Sequence, residues 1–285
     1  MMANVNNHFS EREANTLDFL LVGQGLAGTL LAHFLLLENQ RIKVIDTPLP
    51  GATSGIAAGI VNPVTGRRFA KSWRFEELRP FAKETYRSLE NLLGIPIWHD
   101  RNILRALPTV LDENEWLRRS GFPDYEQYFQ EPADLDGYLG KVKPVRAWGE
   151  LRQAAQVAMP DLVAAFRNFL QERGLLMEEV FDYQQVEPGE GRVGYQDFSA
   201  KKIIFCEGAR AIDNPFFNYL PFSVTKGELL LVRIPGARFE KMLKHHVMIS
   251  AFGKPEDEIF WVGSTSRFEF EGTEPTAEKR QWLEE

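Results

Sequence analysis

The chain has 285 residues, 44% hydrophobic and 26% charged, enough for an ordinary packed core in one large domain or two interleaved ones. Its formal net charge of −7 gives no electrostatic footprint for nucleic acid, so no nucleic-acid partner is expected. A single cysteine, Cys206, excludes an intramolecular disulfide and a thiolate metal cluster, which fits a reducing, cytoplasmic compartment without a bound metal.

The leader "MMANVNNHFSEREANT" is polar and lacks the basic and apolar regions of a signal peptide. The longest apolar run, "TLLAHFLLL", is too short to span a bilayer, so no membrane partner is expected. "DFLLV" reads as a short strand buried on both faces, "TLLAHFLLLENQ" as a leucine-rich helix, and "RIKVID" as a second parallel strand that ends on an acid. Between the first strand and the helix stands "VGQGLAG", a G-x-G-x-x-G loop in the context a dinucleotide site requires. Gly23 permits the tight turn, Gly25 lets the backbone approach a pyrophosphate, and Gly28 lets the helix pack against the strand. Leu26 and Ala27 lie where the helix starts, so unpaired N–H groups and the positive dipole end face the anion. Asp46 lies 18 positions past Gly28, near the spacing for an acid that holds a ribose hydroxyl, and it disfavours a 2′-phosphate.

The next stretch, "TSGIAAGIVNPVTGRR", carries two hydroxyls, then small residues, then an Asn-Pro turn. Such a segment suits a backbone laid along a large flat ligand. The hydroxyls of Thr53 and Ser54 are placed to bond phosphates, and N–H groups around Ala58, Gly59 and Ile60 to face polar ring atoms.

Here the chain resembles the FAD-dependent D-amino-acid oxidase family, which includes glycine and sarcosine oxidases. In that family a Thr-Thr pair leads into an Ala-Ala-Gly-Leu stretch along the flavin; "TSGIAAGI" has Ser54 for the second Thr and Ile60 for the Leu. "QERGLLMEEVFDYQQV" resembles the segment whose valine backbone contacts the adenine, which implies that role for Val180. "KKIIFCEGARA" resembles the Cys-x-Gly turn that returns to the nucleotide, giving Cys206, Glu207 and Gly208. "VTKGELLLVRIP" is similar to the Gly-Gln strand of the substrate domain, with Glu228 where Gln is usual.

The resemblance implies FAD as cofactor and an α/β fold: a discontinuous Rossmann-like FAD-binding domain, 17–71 and 151–213, with a second α+β substrate domain, 72–150 and 214–285, containing an antiparallel sheet. Local signals agree with the elements. "DLVAAFRNFLQERG" reads as a helix stopped at Gly174, "EPGEGR" as a turn between strands, and "FAKETYRSLENLLG" as a helix. "SVTKGELLLVRI", "KHHVMIS" and "EIFWVGSTSRF" read as strands. His245 and His246 would then face opposite sides of a strand, which disfavours a joint metal site.

Flavin amine oxidation transfers a hydride from the carbon beside the amine and needs little acid–base apparatus, so the lack of a Ser-His-Asp signature is no objection. The expected partner is a small amine or amino acid. Its carboxylate needs a cation, and Arg67, Arg68 and Lys71 follow the ring-facing segment; the same residues equally suit a solvated basic turn or a pyrophosphate contact. Asn62 is placed to approach the ring edge. Family members continue into an Arg-Pro stretch and a second glycine loop that this sequence does not contain, so it reads as C-terminally truncated and the main carboxylate-binding Arg is not assigned. Two alternatives keep part of this picture: an oxidase of a modified tRNA nucleoside amine, and a non-catalytic nucleotide-binding protein.

Overall fold

A computed structural model describes residues 15–66 and 68–285. Buried apolar runs and glycine turns sort the chain into two compact units, each made of two stretches. One contains the described part of residues 1–56 with Leu162–Ser223; the other contains Ala57–Asp161 with Val224–Glu285. Residues 57–71 and 151–161, expected in the nucleotide domain, thus group with the second unit, and 214–223 with the first. The helix Met159–Glu172 contains one of the boundaries, where no sequence punctuation occurs.

In the first unit the run expected to be buried on both faces forms the strand Thr16–Val22, with Leu20 and Leu21 fully buried. It pairs in parallel with Ile42–Ile45 on one side and Phe198–Phe205 on the other, so Leu21 stands beside both Val44 and Ile204. Leu176–Met177 extends the sheet in parallel beyond Ile42–Ile45. The hairpin Val186–Pro188 and Val193–Tyr195 continues it antiparallel on the far side, around the turn read from "EPGEGR". The helix Leu26–Leu37 buries Gly28, Thr29, Ala32 and His33. A stacked pair, Phe181 and Tyr195, with ring centroids 4.4 Å apart, fills the core beside Leu17 and Leu20.

The second unit holds a seven-stranded sheet. Its order is Leu229–Arg233, Ile259–Gly263, Met248–Ala251, Met242–Lys244, Ile103–Leu107, Ala147–Leu151, Phe129–Gln130. All neighbours are antiparallel except Met242–Lys244 beside Ile103–Leu107, which run parallel. "KHHVMIS" is therefore two strands and a turn rather than one strand. His245 and His246 occupy that turn, exposed, with rings 4.2 Å apart, not on opposite faces. A smaller sheet places Ala155–Val157 between Ile60–Val61 and Trp98–Asp100. The helix Phe75–Leu93 stops at Gly94, and Val110–Ser120 starts with a capping box of Thr109 and Asp112. Glu228, where the resemblance expects Gln, instead accepts the Thr276 N–H at 2.5 Å at the start of the helix Ala277–Glu284. Among the described residues no helix is long and apolar enough to cross a membrane.

Aromatic packing decides the core of this unit. Trp116 lies so close to Gly149 that a Cβ there would be 2.3 Å from the indole. It also packs on Phe129, centroids 4.4 Å apart, and edge-on to Phe69. Gly149→Ala is therefore expected to destabilise the protein by about 1–3 kcal/mol through overpacking. Urea unfolding followed by tryptophan fluorescence measures it, and an unchanged midpoint would show that the indole has room to move.

Candidate functional site

The glycine loop of the first unit is fixed by contacts that leave no space for side chains. Gly23 sits at φ 99°, a backbone conformation open to glycine, and a Cβ on it would lie 2.4 Å from the Cys206 carbonyl oxygen. A Cβ on Gly28 would lie 1.9 Å from the Gly23 carbonyl oxygen. Backbone bonds pin the same place: Gly23 N–H donates to Ile45 O at 2.8 Å and Cys206 N–H to Val22 O at 2.6 Å. Gly25 is the N-cap of the helix that Leu26 and Ala27 open, and it brings no side chain to cap the first turn. Such a turn carries unpaired N–H groups and the positive dipole end.

Ser54 reaches this turn. Its Oγ accepts the Leu26 N–H at 3.0 Å, and a Cβ on Gly25 would lie 3.2 Å from that oxygen. Thr53 and Ser54 lie in a single helical turn, Thr53–Ile56, with Thr53 exposed. The hydroxyl expected on a phosphate is thus, for Ser54, bonded to the helix start.

Asp46 follows the strand Ile42–Ile45 and lies against the loop. One carboxylate oxygen accepts the Gln24 N–H at 2.9 Å, and the other takes Arg167 Nη1 at 2.5 Å. Arg167 also bonds Glu178 through Nε and Nη2, at 3.0 and 2.7 Å. A carboxylate has about four lone-pair sites, so Asp46 keeps acceptor capacity for a hydroxyl. Gln24 and Arg167 were not foreseen. Arg167 sits in the apolar helix run "DLVAAFRNFLQERG", 121 positions from Asp46, and nothing local links the two.

Val180 lies outside any strand and is 65% exposed. The Cys206 thiol is half-buried, and burial pushes its pKa up, which disfavours the thiolate. Glu207 is engaged by the Tyr183 hydroxyl and by Asn214 Nδ2 at 2.7 Å, which gives its side chain a structural task. Gly208, at φ 58°, opens the 3-10 turn Gly208–Asp213 with no atom within 4 Å of where a Cβ would stand.

The small-residue segment belongs to the second unit. Ala58 is buried and its carbonyl accepts Gln156 Nε2 at 3.0 Å. Gly59, at φ 67°, packs on Val157, whose carbonyl oxygen would lie 1.9 Å from a Cβ. Ile60 pairs with Gln156 as part of an edge strand. One side of the stretch expected to lie along a ligand is therefore taken up by sheet pairing.

Near it lies a cavity of about 340 Å³. Asn62 lines it and spends its Oδ1 on the Val64 N–H at 3.1 Å. Arg68 is exposed and does not line it; Arg67 lies outside the described residues. Lys71 is bound to Asp124 at 3.0 Å and Glu76 at 3.3 Å. Among the described residues the cations that line the cavity are Arg105 and Lys244, which no sequence motif marks. No carboxylate lines it among the described residues. No group of three or more His, Cys, Asp or Glu among them has the arrangement to hold a metal.

A parallel sheet with a glycine turn at a helix start and an acid beyond the second strand, joined to a mainly antiparallel second unit, defines a dinucleotide-binding two-unit fold. The chain belongs to the DAO family of FAD dependent oxidoreductases, whose model matches residues 18–285. The solved structures that share the fold include glycine oxidase from Geobacillus kaustophilus: 20% identity, 94% of this chain and 76% of that chain covered, TM-score 0.76. Iminodiacetate oxidase from Chelativorans sp. BNC1 matches at 18% identity over 93% and 76% of the two chains, TM-score 0.73. L-proline dehydrogenase from P. horikoshii matches at 14% identity over 95% and 75%, TM-score 0.64. FAD is the cofactor of the family, and the residues present suit it: Gly23 and Gly28, where no Cβ fits, a helix start whose N-cap residue brings no side chain, and an acid beside it with acceptor capacity left.

The half-buried Asp46–Arg167 pair, 20% and 16% exposed, is expected to support the loop. A double-mutant cycle of Asp46→Asn and Arg167→Gln should give a coupling of about 1–3 kcal/mol in urea unfolding. A coupling near zero would show that the loop holds without it.

Proposed function

We propose that this FAD-dependent oxidoreductase oxidises an amine or amino acid at the carbon bearing the nitrogen, leaving an imine that water hydrolyses. Bound FAD supplies the hydride acceptor. What favours an amine with an acid group over other flavin substrates is the cavity of the second unit. It combines apolar and aromatic walls with two cations and has neither a carboxylate nor a histidine among its described lining residues. That lining suits binding and orientation, and the reaction asks for little proton transfer from side chains. Glycine oxidase, iminodiacetate oxidase and L-proline dehydrogenase, which share the fold, are each named for an amino or imino acid.

On this reading the first unit supplies most of the cofactor's binding residues. The loop Gly23, Gly25, Gly28 with Leu26 and Ala27 offers backbone donors to the pyrophosphate. Asp46 accepts a ribose hydroxyl, and Val180, exposed and outside any strand, presents its backbone to the adenine. Thr53, Ser54, Ala58, Gly59, Ile60, Cys206, Glu207 and Gly208 contribute backbone or packing rather than reactive groups.

Denatured protein should release a yellow flavin, and added FAD should raise the melting temperature while NAD does not. Asp46→Ala should weaken FAD binding by about 1.5–3 kcal/mol, the range for a hydrogen bond to a charged group. Anaerobic mixing with a panel of amines and amino acids should bleach the oxidised flavin band. If dithionite bleaches it and no amine does, the substrate class is wrong.

A further inference from the structure

The parallel pairing of Ile103–Leu107 with Met242–Lys244 places Arg105 directly beside Lys244. Residues in register on neighbouring strands project from the same face, and like charges there repel. The row continues with Gly149 beside Arg105, and with Met248 and then Gly263 beyond Lys244. At its two ends tryptophans crowd the glycines: Trp116 against Gly149 and Trp261 against Gly263. Two adjacent cations thus line the cavity, among apolar side chains and the polar Asn62, Thr65 and Ser264.

No described residue that lines the cavity carries a negative charge to match either cation. Arg105 Nε is buried with no hydrogen-bond partner among the described residues, a costly state for a polar group unless a ligand relieves it. Its guanidinium stands 5.7 Å from the ring centroid of Phe69, itself held at φ 47°, a backbone conformation rare for an aromatic residue. Lys244 Nζ donates to the His246 carbonyl at 3.2 Å, which leaves two of its three protons to point elsewhere. Asp112, the acid that acts on Arg105 from a distance, is held in the cap of Thr109. Burial lowers the pKa of both cations, and Arg105 lowers that of Lys244 further.

We propose that Arg105 and Lys244 form a dianion site in the substrate cavity, so that the substrate is an amine carrying two negative charges. It rests on the amine-oxidation reading above and narrows it. The charge count drives the choice. A single carboxylate leaves one half-buried positive charge unmatched, whereas two acid groups, or one doubly charged phosphonate, neutralise the pair. The same cations repel an ammonium and so favour the neutral amine, whose lone pair hydride removal requires.

The test titrates the purified protein with malonate, inorganic phosphate and acetate, reading the arginine Nε–H resonances by NMR. The expected result is a shifted Arg105 resonance, with malonate bound at least about tenfold tighter than acetate, one charge-assisted hydrogen bond being worth that much. Phosphate bound tighter than malonate supports the site and assigns the second charge to a phosphonate-type group. Lys244→Met and Arg105→Gln should each weaken malonate by about tenfold or more, with Arg105→Lys restoring part. Should Arg105→Gln not fold, Lys244→Met and the parent resonance still decide. Equal binding of acetate and malonate, or variants that bind malonate like the parent, overturns the proposal. Flavin content and amine-driven bleaching are read separately: malonate binding without them defeats the oxidation reading and leaves the anion site standing.

Discussion

The carbonyl oxygen of Gly23 occupies the place where a side chain at Gly28 would begin. That contact brings the end of the central strand onto the start of the first helix, and the carbonyl of Cys206 closes on Gly23 from the neighbouring strand. Three backbones meet with no side chain between them. The helix start is consequently free of a cap of its own, and Ser54 and Gln24 arrange themselves around it, the latter passing its N–H to Asp46. Close packing in this region thus leaves the first turn of the helix without a cap from its own N-cap residue.

The second unit is built the opposite way, because its cavity is lined by side chains held by a sheet. Glu150, almost fully buried, accepts from Asn102, from the Asp134 N–H and from Lys241, and so has its charge matched. Gln156 bonds the carbonyls of both Ala58 and Ala251 and ties the small sheet to the large one. Beside these satisfied groups, the neighbouring cations of the cavity stand out chemically. A rigid ladder keeps them adjacent where flexible segments would let them part.

Much of the first unit was legible because its signals are consecutive. The strand, glycine loop, helix and acid follow one another within thirty-one residues, from Thr16 to Asp46, and each needs only its neighbours to be read. "TSGIAAGI" drew notice through its composition, yet its conformation did not follow, since Gly59 and Ile60 are set by Gln156 and Val157, far along the chain. Arg105 and Lys244 look like ordinary strand cations in sequence; only the parallel register makes them a pair. Arg167 was hidden in the same way, within a helix read for its apolar face. The histidine pair misled because "KHHVMIS" has the composition of one strand, although its middle turns.

The interleaving of the two units has a consequence for biosynthesis. The strand Thr16–Val22 is the centre of its sheet, and one of its two edges is filled by Phe198–Phe205, roughly 180 residues later. At about 5–20 residues per second, a ribosome takes on the order of 10–40 s to deliver that partner. Throughout that interval a hydrophobic strand has an unpaired edge, the kind of template that recruits other chains. The nascent protein therefore has a stronger claim on a holdase chaperone than its acidic, unremarkable composition suggests.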